Sequence, residues 1–318
     1  MTENKLPDTN ISEAVSPVKT KNEPVCDVIK KRRLGDRKDG RRVRSLSPMA
    51  QLVPYIMKER SDAQNHIAET LNIDRIQDYI KEKHSEGLTG FSFMHVLIAI
   101  YVRAVAEYPG INRFINGQKI YTREGYIEVA LTIKREMTLE SPDTVVKITL
   151  RPDATAVDVY NALNNVIVDY RNVQDSGFDQ TAKMLNYIPG LVKRFAFSSI
   201  RFLDYFGWLP RALTRVSPFH CSMFITSMGS LGIPAIYHHL YNLGNVPVFI
   251  SFGIRRRERV PERDGSVSEH SAIDIKIVTD ERICDGYYFA SALKYMKRFV
   301  RHPELLDEPP AEVKRDVD

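Results

Sequence analysis

Cysteine is scarce in this chain of 318 residues. Cys26, Cys221 and Cys284 lie far apart, with neither the close spacing of a metal cluster nor the density of a disulfide framework. No metal is expected, and a reducing compartment is the natural setting. No run reaches the roughly 18 to 20 uninterrupted apolar residues of a membrane-spanning helix. The opening stretch, MTENKLPDTNISEAVSPVKTKNEP, holds no apolar signal region, so the expected location is cytoplasmic. A glycine-rich phosphate loop of the Walker or dinucleotide type is missing. The interleaved basic and aromatic pattern of nucleic-acid modules is missing too. The net charge of +5 is mild, and no nucleic-acid partner is expected.

What is there is an ordinary globular composition, 43% hydrophobic and 27% charged, in a chain long enough for one large or two ordinary domains. Residues 1 to about 35 are polar and rich in Lys, Glu, Ser, Thr and Pro, too poor in apolar surface to order themselves. Asp27 to Arg44 carries nine basic residues against three acidic ones. A disordered basic arm is therefore expected over 1–44, and one folded domain over 45–318. No internal repeat is present.

Within the domain, helical spacing predicts helices over Pro48 to Met57, Phe93 to Glu107, Thr155 to Tyr170 and Tyr287 to Arg301, and one capped by Asp74 running to Ser85. Alternation predicts strands over Ile67 to Ile73, Gly125 to Lys134, Thr144 to Leu150, His220 to Ser227, Val246 to Arg255 and Ala272 to Thr279, with Asp264-Gly265 turning the last two as a hairpin. Mixed elements without strict alternation argue for helices layered on a mixed sheet. Residues 178–217 stand apart as an apolar helical elaboration, interrupted by Lys193, Arg194, Arg201 and Asp204. They read as a cap or subunit contact, a membrane-surface helix or a lid over an acyl pocket.

The most specific segment is IVTDERICDGYYFASALKYMKRFVRHPELL, residues 277–306. It closely resembles the C-terminal signature of dihydrolipoamide acyltransferases, in which a strand enters D-H-R-x-x-D-G, a helix follows and an N-P-E-L-L-like tail ends the domain. Asp280, Arg282, Asp285, Gly286 and Pro303 to Leu306 match. Cys284-Asp285-Gly286-Tyr287 is also similar to chloramphenicol acetyltransferases. Pro109 to Asn112 resembles the family's P-x-x-N turn, and Phe224 to Gly232, FITSMGSLG, its F-T-I-S-N-L-G strand and turn.

The resemblance implies a two-layer α/β sandwich of the chloramphenicol acetyltransferase type, a mixed β-sheet with helices on one side. It also implies a homotrimer with the active site between subunits, and coenzyme A thioester as substrate. No lipoyl-type domain precedes residue 45, so an acyl carrier or the lipoyl domain of another protein becomes a candidate partner. The family's reactive histidine falls at Glu281. In the family that histidine deprotonates a thiol, and a serine, here Ser227 with Thr226 as alternative, stabilises the oxyanion. Asp285 would hold its loop, with Arg282 or Arg44 as candidate partner, and Gly286 would make the turn. Against reference values, proton transfer from a thiol to an unshifted glutamate is about 3 kcal/mol harder than to histidine. Burial can raise a glutamate enough to close that gap. His220, His238 and His239 are candidate substitute bases, and Thr226, His238 and His239 are candidate substrate-binding residues. Cys221 and Cys284 read as inert thiols. Acyl transfer by Glu281 or a substitute base is the leading expectation. A non-catalytic trimeric assembly or regulatory subunit is the alternative.

Overall fold

Strand and helix periodicities occupy separate stretches of the chain, and the elements separate into layers accordingly. The computed structural model describes residues 33–134, 143–172, 187–262 and 264–318. In chain order its elements are β1 (Arg41–Arg42), α1 (Pro48–Ile56), β2 (Gln64–Asn72), α2 (Asp74–Ser85), α3 (Phe93–Glu107), β3 (Arg113–Asn116), β4 (Lys119–Thr122), β5 (Ile127–Lys134), β6 (Asp143–Leu150) and α4 (Ala156–Asn172). There follow α5 (Gly190–Tyr205), α6 (Arg211–Val216), β7 (Met223–Ser227), β8 (Val248–Pro261), β9 (Val267–Asp280) and α7 (Gly286–Arg301).

Six strands form one sheet in the order β2-β9-β8-β7-β5-β6, and β1-β4-β3 form a second, smaller one. The pairs β5–β7 and β7–β8 are parallel and the rest of the large sheet is antiparallel, so the sheet is mixed, as expected. One face of it, with Val129, Ile225, Ile250, Ile275 and Ile277, packs under α2, α3, α4 and α7 in a single apolar core. The helix α3 has scarcely a polar side, and every residue from His95 to Ala106 is buried, as a helix apolar all round must be.

The other sheet face carries Phe224, Phe249 and Val278. Residues 233–247, outside any strand or helix, cross it. Leu240 and Val246 enter its apolar cluster, and the Ser251 hydroxyl donates to the Ile236 carbonyl. Arg60 ties the far end down, donating to the carbonyls of Tyr241 at 2.6 Å and Gly244 at 3.0 Å. The segment lies so close to β8 that a side chain at Gly253 would collide with the backbone of Pro234 and Ala235.

Three expectations shift. The hairpin β8–β9 is longer than its alternation suggested, pairing from Val248↔Thr279 out to Pro261↔Val267. Its outer half is exposed on both strands, and a half without a buried face shows no alternation. Asp74 is the first residue of α2 rather than its cap. Asn72 accepts the Asp74 amide hydrogen at 3.0 Å, and the Asp74 carboxylate accepts instead from the Ser271 amide at 2.9 Å. The described residues begin at 33, inside the expected basic arm, where Arg41 and Arg42 pair with β4 and Val43 is buried. Residues 1–32 lie outside the described residues, as do residues 178–186 of the apolar stretch. The rest of that stretch forms α5 and α6, but of α5 only Asp204 is buried.

Candidate active site

The site grows from the five residues that join β9 to α7 and from Asp280 and Gly286 on either side of them. Asp280 closes β9 with its side chain fully buried. Two arginines neutralise it. Arg282 donates from Nε at 2.8 Å and from Nη2 at 2.7 Å, and the Nε of Arg60 lies 3.3 Å from Oδ2. Arg282 also donates to the carbonyls of Met57 and Lys58, which fixes the chain after α1 against this corner. Burial pulls the Arg60 guanidinium below its ordinary pKa, and the Asp280 charge opposes that pull. Two guanidiniums on one buried carboxylate leave the backbone at 280–283 little freedom.

Held this way, the corner directs the next side chain outward. Glu281 opens a short 3-10 turn, Glu281–Ile283, and is exposed. It lines a cavity of about 290 Å³ together with His66, Cys284, Asp285, Gly286 and Phe289. Asp285 caps α7, its carboxylate accepting the Tyr288 amide hydrogen at 2.8 Å. Neither arginine expected beside it is there. Arg282 is taken by Asp280, and Arg44 pairs with Asp36 at 2.8 Å. The loop is thus held through Asp280, and Asp285 holds only the helix start. Gly286 is likewise no tight turn. It is the first residue of α7, with open space where a side chain would go. Burial pushes the Cys284 thiol up to about 12 and the Cys221 thiol up to about 11. Both stay protonated near neutrality and are poor nucleophiles.

A second cavity, of about 270 Å³, adjoins Arg282. Lys58, Arg60, Arg201 and Arg282 line it, with Glu59 and Asp204 as its acids. The corner thus separates a cavity holding Glu281 from a cavity rich in cations.

The serine and histidine candidates lie elsewhere. Ser227 ends β7, half-buried, its hydroxyl accepting the Ser230 amide hydrogen at 3.3 Å. Thr226 is buried beside it. Ser227 pairs with Phe252, and Phe252 with Ile275. Six residue steps lead from Ile275 along β9 to Glu281, about 20 Å. Within one chain the two candidates therefore stand far apart along the strands. His238 stacks on Phe249 with ring centroids 4.4 Å apart, and burial draws its pKa down. His239 is exposed, edge-on to Tyr241. The neighbouring Tyr237 touches His66 at 5.2 Å, which brings the 233–247 segment to the rim of the Glu281 cavity. His220 is buried between the Ser217 hydroxyl at 2.8 Å and Asp204 at 3.3 Å, and so anchors α5.

Sequence reasoning missed His66, whose single position at the start of an edge strand has no diagnostic spacing. It also missed the buried group Arg37–Asp204–His220, whose members are scattered over 183 residues of sequence (37 to 220). Among the described residues, no group of three or more His, Cys, Asp or Glu side chains could hold a metal ion.

The sequence matches no family model and no curated protein. Among solved structures the chain is similar to a probable dihydrolipoamide acetyltransferase from Listeria monocytogenes. The TM-score is 0.50 at 14% identity, over 81% of this chain and 95% of that one. It is also similar to the cubic core of the pyruvate dehydrogenase multienzyme complex, with TM-score 0.48, 10% identity, and coverage of 81% and 88%. For a chloramphenicol acetyltransferase the values are 0.45, 13%, 77% and 92%. The likeness to the Listeria protein shows the fold, a two-layer α/β sandwich of the acyltransferase type, here with Glu281 at the corner between β9 and α7.

Proposed function

We propose that this chain transfers an acyl group between a coenzyme A thioester and a thiol or other acceptor. It does so as a homotrimer whose site combines Glu281 and Asp285 of one copy with Ser227 of the next. The supporting observation is the corner itself, a rigid turn that sets Glu281 in one cavity and begins a cation-rich cavity at Arg282. Lys58 and Arg201 suit the phosphates of the carrier, since a phosphate takes charge-assisted hydrogen bonds from such groups. Glu281 is the base. It takes the proton of the attacking thiol, and the thiolate adds to the thioester carbonyl. The Ser227 hydroxyl of the neighbouring copy donates to the oxyanion. The intermediate collapses, the carrier thiolate leaves, and it recovers the proton from Glu281. Thr226 shapes the serine strand, and His239 with His238 lines the approach. The acyl group comes from free coenzyme A thioester, an acyl carrier or another protein's lipoyl group.

A glutamate with ordinary basicity would run this proton transfer about a hundredfold slower than histidine. The neighbouring copy therefore also covers Glu281 and excludes water from it. A cytoplasmic setting suits the free thiols of Cys221 and Cys284.

The test is acyl transfer from acetyl-coenzyme A to a panel of thiols, alcohols and amines. Glu281→Gln should lose at least about a hundredfold in kcat/KM. Glu281→His, which leaves Asp285 and Gly286 in place, should match or exceed the wild type. One observation favours the other reading, a non-catalytic assembly or regulatory subunit: Glu281 is exposed in the single chain. Wild type and Glu281→His both inactive toward every acceptor would establish that reading instead.

A further inference from the structure

The helix α5 is attached to the body by its polar side and turns its apolar side away. At about 100° per residue, Leu191, Phe195 and Phe202 fall within about 40° of one another, and Asp204 falls nearly opposite. Asp204 is the buried residue of the helix. Arg37 Nη2 reaches its carboxylate at 3.0 Å, and Arg37 Nη1 donates to its carbonyl at 2.6 Å. His220 closes the same carboxylate from the other side. The stripe opposite is left in the open. Leu191 is 83% exposed, Phe195 74%, Phe202 58% and Trp208 62%. Phe202, Phe206 and Trp208 pack on one another there, with Phe206 stacked on Trp208 at 4.9 Å and edge-on to Tyr205 at 5.1 Å.

Charge says what covers this face. Residues 187–217 contain five cations, Lys193, Arg194, Arg201, Arg211 and Arg215, and one acid, the buried Asp204. Arg194 and Arg201 line one edge of the stripe, both about 90° from its centre on the same side. Arg201 also meets Glu59 at 3.3 Å, which sets the end of α1, with exposed Tyr55 and Ile56, beside the same face. Pairing this surface with a second copy of itself would oppose five cations to five. An apolar stripe with aromatic residues and a basic border is the composition that lies in the plane of a bilayer interface.

We infer that α5 and α6 form a docking surface for an anionic lipid bilayer, with Leu191, Phe195, Phe202 and Trp208 entering the headgroup boundary and Arg194, Arg211 and Arg215 meeting lipid phosphates. The helices lie on the membrane and do not cross it. No described helix is long and apolar enough to span one. The inference stands on this face alone and is independent of the acyl-transfer reading.

Flotation of the full-length protein with lipid vesicles tests it. One set is phosphatidylcholine alone, the other about half phosphatidylglycerol. The bound fraction should be at least about tenfold higher on the anionic vesicles and should fall as salt is raised. The double variant Phe195→Ser/Phe202→Ser, at exposed positions and with unchanged circular dichroism, should no longer float. Arg194→Glu/Arg211→Glu should lose the preference for anionic lipid. A wild type that floats with neither composition, or equally with both, overturns the inference. So does a double variant that floats as well as the wild type. If the wild type does not float and the double variant has a smaller mass in light scattering, the face is a contact between copies instead.

Discussion

Two adjacent carboxylates have opposite surroundings. Asp280 is buried between two guanidiniums, while Glu281 is exposed. Asp280→Asn leaves two buried cations with one neutral acceptor and should cost about 3–5 kcal/mol in urea denaturation. Glu281→Gln should change stability by less than about 0.5 kcal/mol, so its effect on turnover can be read as chemistry. His95 makes a third residue-scale case. Its Nδ1 accepts the Ser92 amide hydrogen at 3.0 Å, as a glutamate does in a capping box, while its Nε2 is buried without a partner. Burial pushes this imidazole down to about 4. Because the folded value lies below the unfolded one, the unfolded chain takes up a proton first as the pH drops. Stability should fall between about pH 6.5 and 4, by up to about 3 kcal/mol. His95→Gln keeps an acceptor for Ser92 and should flatten that part of the pH profile. At this scale Glu281 was legible because Asp280, Arg282, Asp285 and Gly286 surround it in sequence. His66 was not, because a lone histidine at a strand edge carries no pattern.

Elements with one continuous buried face were legible almost to the residue. The apolar run of α3 and the stripe of α7, with Ala292 and Phe299 buried, needed only the helical period. The outer half of β8 and β9 was not legible, since neither face of it is buried. Nor were the caps, where a short polar side chain has several partners within reach. Asp285 illustrates what a cap does and does not mean. Asp285→Ala should cost about 1 kcal/mol by thermal denaturation, and Asp285→Asn much less, because asparagine caps as well as aspartate. An equal loss in both would mean that the charge of Asp285, and not its cap, holds the corner. Gly253 sets the distance between β8 and the 233–247 segment. Gly253→Ala should detach that segment and expose the Phe249 cluster, read as faster proteolysis within 233–247.

At the scale of the whole molecule, topology decides what one chain can do alone. The order β2-β9-β8-β7-β5-β6 sends β7 and β9 in opposite directions, and so sets Ser227 and Glu281 about 20 Å apart along the strands. No local motif could reveal that separation, because each motif is intact at its own end. An active site joining the two requires a second copy. Mixed trimers of two inactive variants measure this most directly. Glu281→Gln and Ser227→Ala chains, each inactive in acyl transfer, are dissociated together and reassembled. On this account a complete site forms where a chain with intact Glu281 meets one with intact Ser227. The account predicts that activity returns to roughly a quarter of wild type for random mixing of equal amounts. Two inactive variants that stay inactive after verified exchange of subunits would contradict it.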